Sequence, residues 1–169
     1  METVLIRHRD GRNTVCVSSQ AGCPLKCSFC LTGRAGWRRN LQAEEIVDQV
    51  VLFARLLKRE GERVSNVVMM GMGEPFINYA QALAAVRMLN RPAMLGIGAR
   101  KISISTVGIV EGIEKLAREP LQVNLALSLH APDDARREKL IPVNRKYPIA
   151  RVLAAVSDYL EKTRRRVMI

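Results

Sequence analysis

Aromatic residues are scarce in this chain: one Trp, three Tyr and three Phe make up 4% of it. Its core must therefore come from Leu, Ile, Val, Ala and Met, which a hydrophobic content of 48% can supply. Acidic residues are also few, 16 against 27 Lys and Arg, leaving a net charge of +11. A surplus of that size predicts attraction to a polyanion, most simply nucleic acid, while a basic solvated surface is the plainer reading. No run of 18 apolar residues occurs, so no helix can span a membrane. The opening Met1-Glu2-Thr3-Val4-Leu5-Ile6-Arg7-His8 lacks a secretory pattern, and the chain is expected in the cytoplasm. Its four cysteines are then expected to be ligands or core residues rather than disulfides. At 169 residues, one domain over 1–169 is expected, with no repeat, low-complexity stretch or linker to divide it.

What is present is alternation of strand and helix. Val4–His8 and Thr14–Ser18 predict strands joined by the Asp10-Gly11 turn, a leading hairpin over 1–19. A loop follows over 20–36. Ala43–Glu60 predicts a helix with Ile46, Val47, Val50, Val51, Ala54 and Leu57 on one stripe. Asn66–Met70, Lys101–Thr106 and Val123–Leu129 predict strands; Tyr79–Asn90, Val110–Arg118 and Ile149–Thr163 predict helices. In the last helix Val152, Leu153, Val156 and Leu160 are expected to face inward. Arg166–Ile169 begins one more strand. This order predicts an α/β fold, a partial βα barrel of mostly parallel strands preceded by the hairpin. Such a half-open sheet would expose apolar edge and face, so the chain is expected to be a fragment of a longer protein.

The chemistry concentrates in Cys23-Pro24-Leu25-Lys26-Cys27-Ser28-Phe29-Cys30. Three closely spaced thiolates can grip one metal centre. A structural zinc would want a fourth ligand, and only Cys16, His8 or His130 could supply it. A [4Fe–4S] cubane takes thiolates readily, and three would leave one iron open for substrate. Three buried core cysteines are the remaining reading. Cys16 itself reads as a small core residue of its strand.

The C-x3-C-x2-C loop with Phe29 before its last cysteine resembles radical S-adenosylmethionine enzymes. Cys16–Cys23, Val67–Pro75, Leu127–Pro132 and Ile141–Tyr147 are similar to the RlmN/Cfr family of adenine-C2/C8 RNA methyltransferases, RlmN more than Cfr. The resemblance runs over essentially the whole chain. It implies cluster ligation by Cys23, Cys27 and Cys30. It implies S-adenosylmethionine contacts at Gly73 and Glu74, nucleoside and amino-acid contacts at Ser105, Ser128, Leu129 and His130, and packing of Phe29 beside cluster and adenine. It also implies reductive cleavage of the cofactor to a 5′-deoxyadenosyl radical, electrons from a donor such as flavodoxin or ferredoxin, and methylation of adenine C2 in ribosomal and transfer RNA by a monomer. The family's methyl-carrying cysteine and its N-terminal accessory domain have no counterpart in this sequence, so no catalytic residue is assigned. A different radical enzyme, or a noncatalytic metal-stabilised RNA-binding module, stays open as an alternative. Arg34, Arg38 and Arg39 with Trp37, and the run Arg164–Arg166, are candidate RNA contacts or solvated faces.

Overall fold

The computed structural model describes residues 1–169. Strand β1 (Val4–Arg7) turns back on β2 (Asn13–Cys16), pairing Leu5 with Val15. A short antiparallel pair follows, β3 (Gln20–Gly22) with β4 (Trp37–Asn40), enclosing the cysteines and a one-turn helix, α1 (Leu31–Arg34). From there strands and helices alternate: α2 (Ala43–Arg59), β5 (Asn66–Met69), α3 (Tyr79–Asn90), β6 (Ile102–Thr106), α4 (Val110–Leu116) and β7 (Asn124–Leu127). The chain closes with α5 (Asp134–Leu140), α6 (Ile149–Thr163) and β8 (Val167–Met168). The main sheet has the order β1-β2-β5-β6-β7-β8, with every neighbouring pair after the first parallel. The leading hairpin therefore belongs to the sheet, and β1 and β8 are its free edges.

The two faces of the sheet differ in a way that period-2 alternation explains. Val15, Val17, Val67, Met69, Ile102, Ile104, Leu125 and Leu127 enter one core with residues from α2, α3, α4 and α6. The alternate positions are Cys16, Val68, Ser103, Ser105, Ala126 and Ser128, small or polar side chains on the other face. Apolar surface is accessible on that face at half-buried Val68 and exposed Met70, beside small and hydroxyl residues that tolerate water or a ligand. The edges do expose apolar side chains: Val4 and Ile6 on β1, Met168 and Ile169 at β8.

Helix α2 forms where the stripe of apolar residues predicts it. Glu44 and Glu45 lie in its first turn, and the Gln42 amide donates to the Glu45 carboxylate at 2.9 Å. Ile46, Val47, Val50 and Leu57 are buried, whereas Val51 and Ala54 are only half-buried. In α6 the inward face is Val152, Ala155, Val156 and Tyr159; Leu153 and Leu160 are exposed, against expectation. The stripe through 152, 156 and 159 places Leu160 about 70° off the core direction. Tyr159 takes the core position because its hydroxyl reaches the Val123 carbonyl.

Candidate cofactor site

The cleft lies at the C-terminal ends of the parallel strands, the end where open α/β sheets receive ligands. Three short connections meet there: Met70–Asn78 after β5, Val107–Ile109 after β6 and Ser128 onward after β7. The cysteine loop, carried between β3 and β4, forms the facing rim. The cleft has a volume of about 280 Å³. Nine of the ten residues expected at the site line it: Cys23, Cys27, Cys30, Phe29, Gly73, Glu74, Ser105, Ser128 and His130. Leu129 does not; it packs against the core and its carbonyl accepts from Arg137 Nε at 3.1 Å.

A buried polar frame holds this geometry. Ser18, Ser19 and Gln20 are almost fully buried at the base of the cysteine loop. Gln49 bonds both the amide (2.8 Å) and the carbonyl (3.0 Å) of Ser18. Asn78 Nδ2 donates to the carbonyls of Ser19 and Leu41, both at 2.8 Å, fixing where that loop leaves and re-enters the fold. Gln20 Oε1 accepts from the Glu74 amide at 2.9 Å, which ties the cysteine loop to the strand end opposite. Gly73 is required at this junction. Its φ is +102°, and a Cβ there would stand 2.6 Å from Gln20 Cβ. Gly33 of α1 has the same use against the cysteine loop, since its Cβ would lie 3.1 Å from the Cys27 amide nitrogen.

Glu74 is more deeply engaged than its sequence motif suggests. Its carboxylate accepts from the amides of Val107 (2.9 Å) and Phe76 (3.1 Å), bracing the β5 connection against the β6 connection. Burial pushes its carboxyl up to about 7, while the Val107 and Phe76 amides and the Thr106 hydroxyl pull it down. Across the cleft Ser105 Oγ and Ser128 Oγ lie 3.1 Å apart and form one hydroxyl pair. The Phe29 and His130 rings meet at 4.8 Å, joining the cysteine rim to the end of β7. His130 adopts φ +61°, an uncommon conformation for a side-chain-bearing residue.

Arg137 is a site-building residue that the sequence reading missed. It sits on α5 with none of its surface exposed. Its guanidinium donates to Leu129 O, to Asn144 Oδ1 (2.6 Å), to Tyr147 O (3.3 Å) and to Val107 O. One side chain thereby clamps the connections after β6 and β7. The same helix ends on the Leu140 carbonyl, which accepts from the Ser28 amide of the cysteine loop at 2.9 Å. Helix α5 was itself unpredicted, although Asp133, whose carboxylate caps the Arg136 amide at 2.8 Å, is its readable start signal.

The two arginine clusters separate. Arg34, Trp37 and Arg38 are exposed beside the cysteine rim, while both terminal nitrogens of Arg39 are held by Glu45 at 2.7 and 2.8 Å. Arg164–Arg166 precede β8 and so lie at the N-terminal ends of the strands, away from the cleft.

All four cysteines are free thiols. Burial raises Cys23, and it pushes Cys27 up to about 11 with help from the neighbouring Cys23 and Cys30 charges. Burial thus favours the neutral thiols of Cys23 and Cys27, and a bound cation would favour their thiolates instead. No three His, Cys, Asp or Glu side chains anywhere close tightly on one point. A tetrahedral zinc would need sulfurs about 3.8 Å apart. Of the fourth ligands a zinc would need, His8 is committed to Thr14 Oγ1 at 2.9 Å in the first hairpin.

Residues 17–169 match the Radical SAM superfamily. The chain belongs to that superfamily. It is 52% identical over 167 residues to the "Probable dual-specificity RNA methyltransferase RlmN" of Dictyoglomus thermophilum, covering 99% of this chain and 48% of that one. The protein of the same name from Chloroflexus aurantiacus is 54% identical, with 99% and 46% covered. The chain therefore spans about half the length of the curated relatives it matches. A solved radical SAM methyltransferase from Sphaerobacter thermophilus superposes with a TM-score of 0.95 at 52% identity, over 98% of this chain and 48% of that chain. Streptococcus suis SuiB bound to S-adenosylmethionine shares the fold, with a TM-score of 0.58 at 17% identity over 92% of this chain and 34% of that chain. Superfamily membership implies a [4Fe–4S] cluster and S-adenosylmethionine. Cys23, Cys27 and Cys30 are the thiols that could hold such a cluster, and they lie on the same cleft as Gly73, Glu74, Ser105 and Ser128.

Proposed function

We propose that this chain is the cofactor-binding core of a radical SAM RNA methyltransferase acting on C2 of adenine. The observation that carries the reading is the convergence of cysteine rim, Gly73-Glu74 turn and Ser105–Ser128 hydroxyl pair on one cleft at the strand ends. When bound, the cluster would supply the electron that splits a carbon–sulfur bond of S-adenosylmethionine. The chain's own residues do the rest. Cys23, Cys27 and Cys30 would hold the cluster, supplying three thiolates. Gly73 opens the backbone for close approach of the cofactor. Glu74 accepts from the Val107 and Phe76 amides and so positions the turn on which the cofactor would rest. Ser105 and Ser128 present hydroxyls to a ribose or a carboxylate, and Phe29 against His130 screens that side from water.

RNA as substrate is supported by the names of the relatives and by the +11 charge. Ribosomal and transfer RNA, a flavodoxin- or ferredoxin-like electron donor, a monomeric state and a cytoplasmic setting complete the proposal. Methyl transfer itself needs segments beyond this chain, so this core binds and cleaves the cofactor without methylating RNA. Anaerobic reconstitution tests the reading. Four irons and four sulfides per chain are expected, with an electron paramagnetic resonance spectrum that changes on adding S-adenosylmethionine. Zinc without sulfide would discard the reading, and methylated adenine made by this chain alone would discard the division of labour.

A further inference from the structure

The positive charge of this chain sits at both ends of its strands and is absent from its flanks. Helices α2, α3, α4 and α6 carry seven basic and seven acidic residues. The connections at the cleft end, 17–42, 70–78, 107–109 and 128–148, carry nine basic and four acidic residues, a net of +5. The connections at the opposite end, 8–12, 60–65, 91–101, 117–123 and 164–166, carry ten basic and four acidic residues, a net of +6. The end without the cleft is thus the more basic one.

The four acids at that far end are already committed. Asp10 pairs with Arg12 at 2.8 Å, Glu60 and Glu62 with Arg7 at 2.5 and 3.1 Å, and Glu119 with Arg87 at 2.6 Å. The other bases there have no acidic partner. Arg91, Arg100 and Lys101 come from the connection after α3, and Arg164 and Arg166 from the connection before β8; all five are exposed. Arg9, Arg63 and Arg118 add exposed charge from the remaining connections. Arg165 is half-buried and ties this surface together by donating to the Leu121 carbonyl at 2.6 Å. A recess of about 600 Å³, larger than the cofactor cleft, opens among Lys58, Arg63, Lys101 and the backbone of Gly96 and Gly98. A Cβ at Gly98 would meet nothing within 4 Å, so the backbone there is open to close approach.

We propose that this far end is a second RNA-binding face that grips phosphates of the substrate at a distance from the modified base. Unpaired basic side chains spread over this end match a chain of regularly spaced phosphates. A protein partner would want an apolar centre to its interface; the larger recess is only partly apolar, with Ala54, Val64, Met94, Leu95 and Ile97 among its lining, and the adjoining recess of about 400 Å³ has no hydrophobic lining residue. Choosing RNA among polyanions rests on the function proposed above. The two ends are separated by the strands, about 17 Å for a five-residue strand plus the loops at either end. The helical flank between them is neutral. An RNA that touches both ends must therefore be folded, with a second arm or stem that passes round the flank.

The test uses the cluster-loaded chain and fluorescence anisotropy over a salt series, with a transfer-RNA transcript and a short single-stranded oligonucleotide as probes. The variant R63Q/R91Q/K101Q/R118Q/R164Q/R166Q is expected to bind the folded transcript at least about tenfold more weakly near 0.1 M salt. Its log–log salt slope should be shallower by about 2 to 3, or roughly three phosphates. Binding of the oligonucleotide, too short to engage both ends at once, should weaken clearly less than that of the transcript, and cluster absorbance should be unchanged. An unchanged slope for the transcript, or an equal loss for the oligonucleotide, overturns the proposal. Competition by poly-glutamate as strong as by RNA assigns the face to an acidic protein and also overturns it. A chain that takes up no iron would defeat the proposed function instead, and iron content is read separately from anisotropy.

Discussion

The two ends of the sheet are both basic, yet they handle charge and polarity in opposite ways. At the cleft end the polar groups that frame the site are buried and satisfied: Glu74 by two backbone amides, Arg137 by four acceptors, Asn78 and Gln49 by backbone of the cysteine loop. At the far end the bases are exposed and mostly unpaired. A site that must position a reactive cofactor needs fixed, pre-paid geometry. A surface that grips a mobile polyanion needs charge without fixed partners. The comparison teaches that net charge alone does not locate function; the degree to which charge is tied down does.

The largest effect that sharpens this contrast is at the cysteines. C27A should abolish the cluster, read as loss of iron and of the visible absorbance, while leaving the RNA salt slope of the far end in place. Next comes Arg137. R137M strands the carbonyls of Val107, Leu129 and Tyr147 in a buried space and should cost about 3 kcal/mol or more in urea unfolding. For a chain of this size that is about 6–12 °C in Tm. G73A should follow, at about 1–3 kcal/mol from a positive φ, with weakened S-adenosylmethionine binding as its specific mark.

The Glu74 carboxyl provides a pH test. Its value in the folded chain, about 7, lies above its ordinary 4.5. The folded state therefore holds that proton more tightly than the unfolded state. The stability contributed is complete below about pH 4.5 and is lost as pH rises to about 7. E74Q should flatten the stability profile in that window and cost about 1–3 kcal/mol, because its amide opposes one of the two backbone donors. A profile equally steep in both proteins would show that the buried carboxyl is not what titrates. The smallest effect on stability is expected at the far end, where the sixfold glutamine variant should leave Tm unchanged. A large drop there would mean that those arginines hold the fold together, and the contrast between the two ends would fail.

Much of the fold was legible. Helices over Tyr79–Asn90 and Ile149–Thr163 emerge with the bounds that their periodicity predicts, and the apolar run before Gly71 is a parallel strand. Where the reading slipped, local signals were weak or outweighed. Strands β3 and β4 are three and four residues long and are paired only through the loop they enclose. In α6, Tyr159 displaced Leu160 from the core because its ring is apolar and its hydroxyl found a carbonyl.

By itself the sequence determined the cysteine spacing, the strand–helix alternation and the glycine turn that ends β5, since each depends on neighbours a few residues apart. Only the tertiary structure decided what Glu74 and Arg137 do, and where Arg164–Arg166 lie. Glu74 meets its Val107 partner 33 residues away, and Arg137 reaches the same residue across 30. Contacts of that separation follow from parallel strand order and register, which bring the C-terminal ends of β5, β6 and β7 together and send the connections that precede the strands to the opposite end.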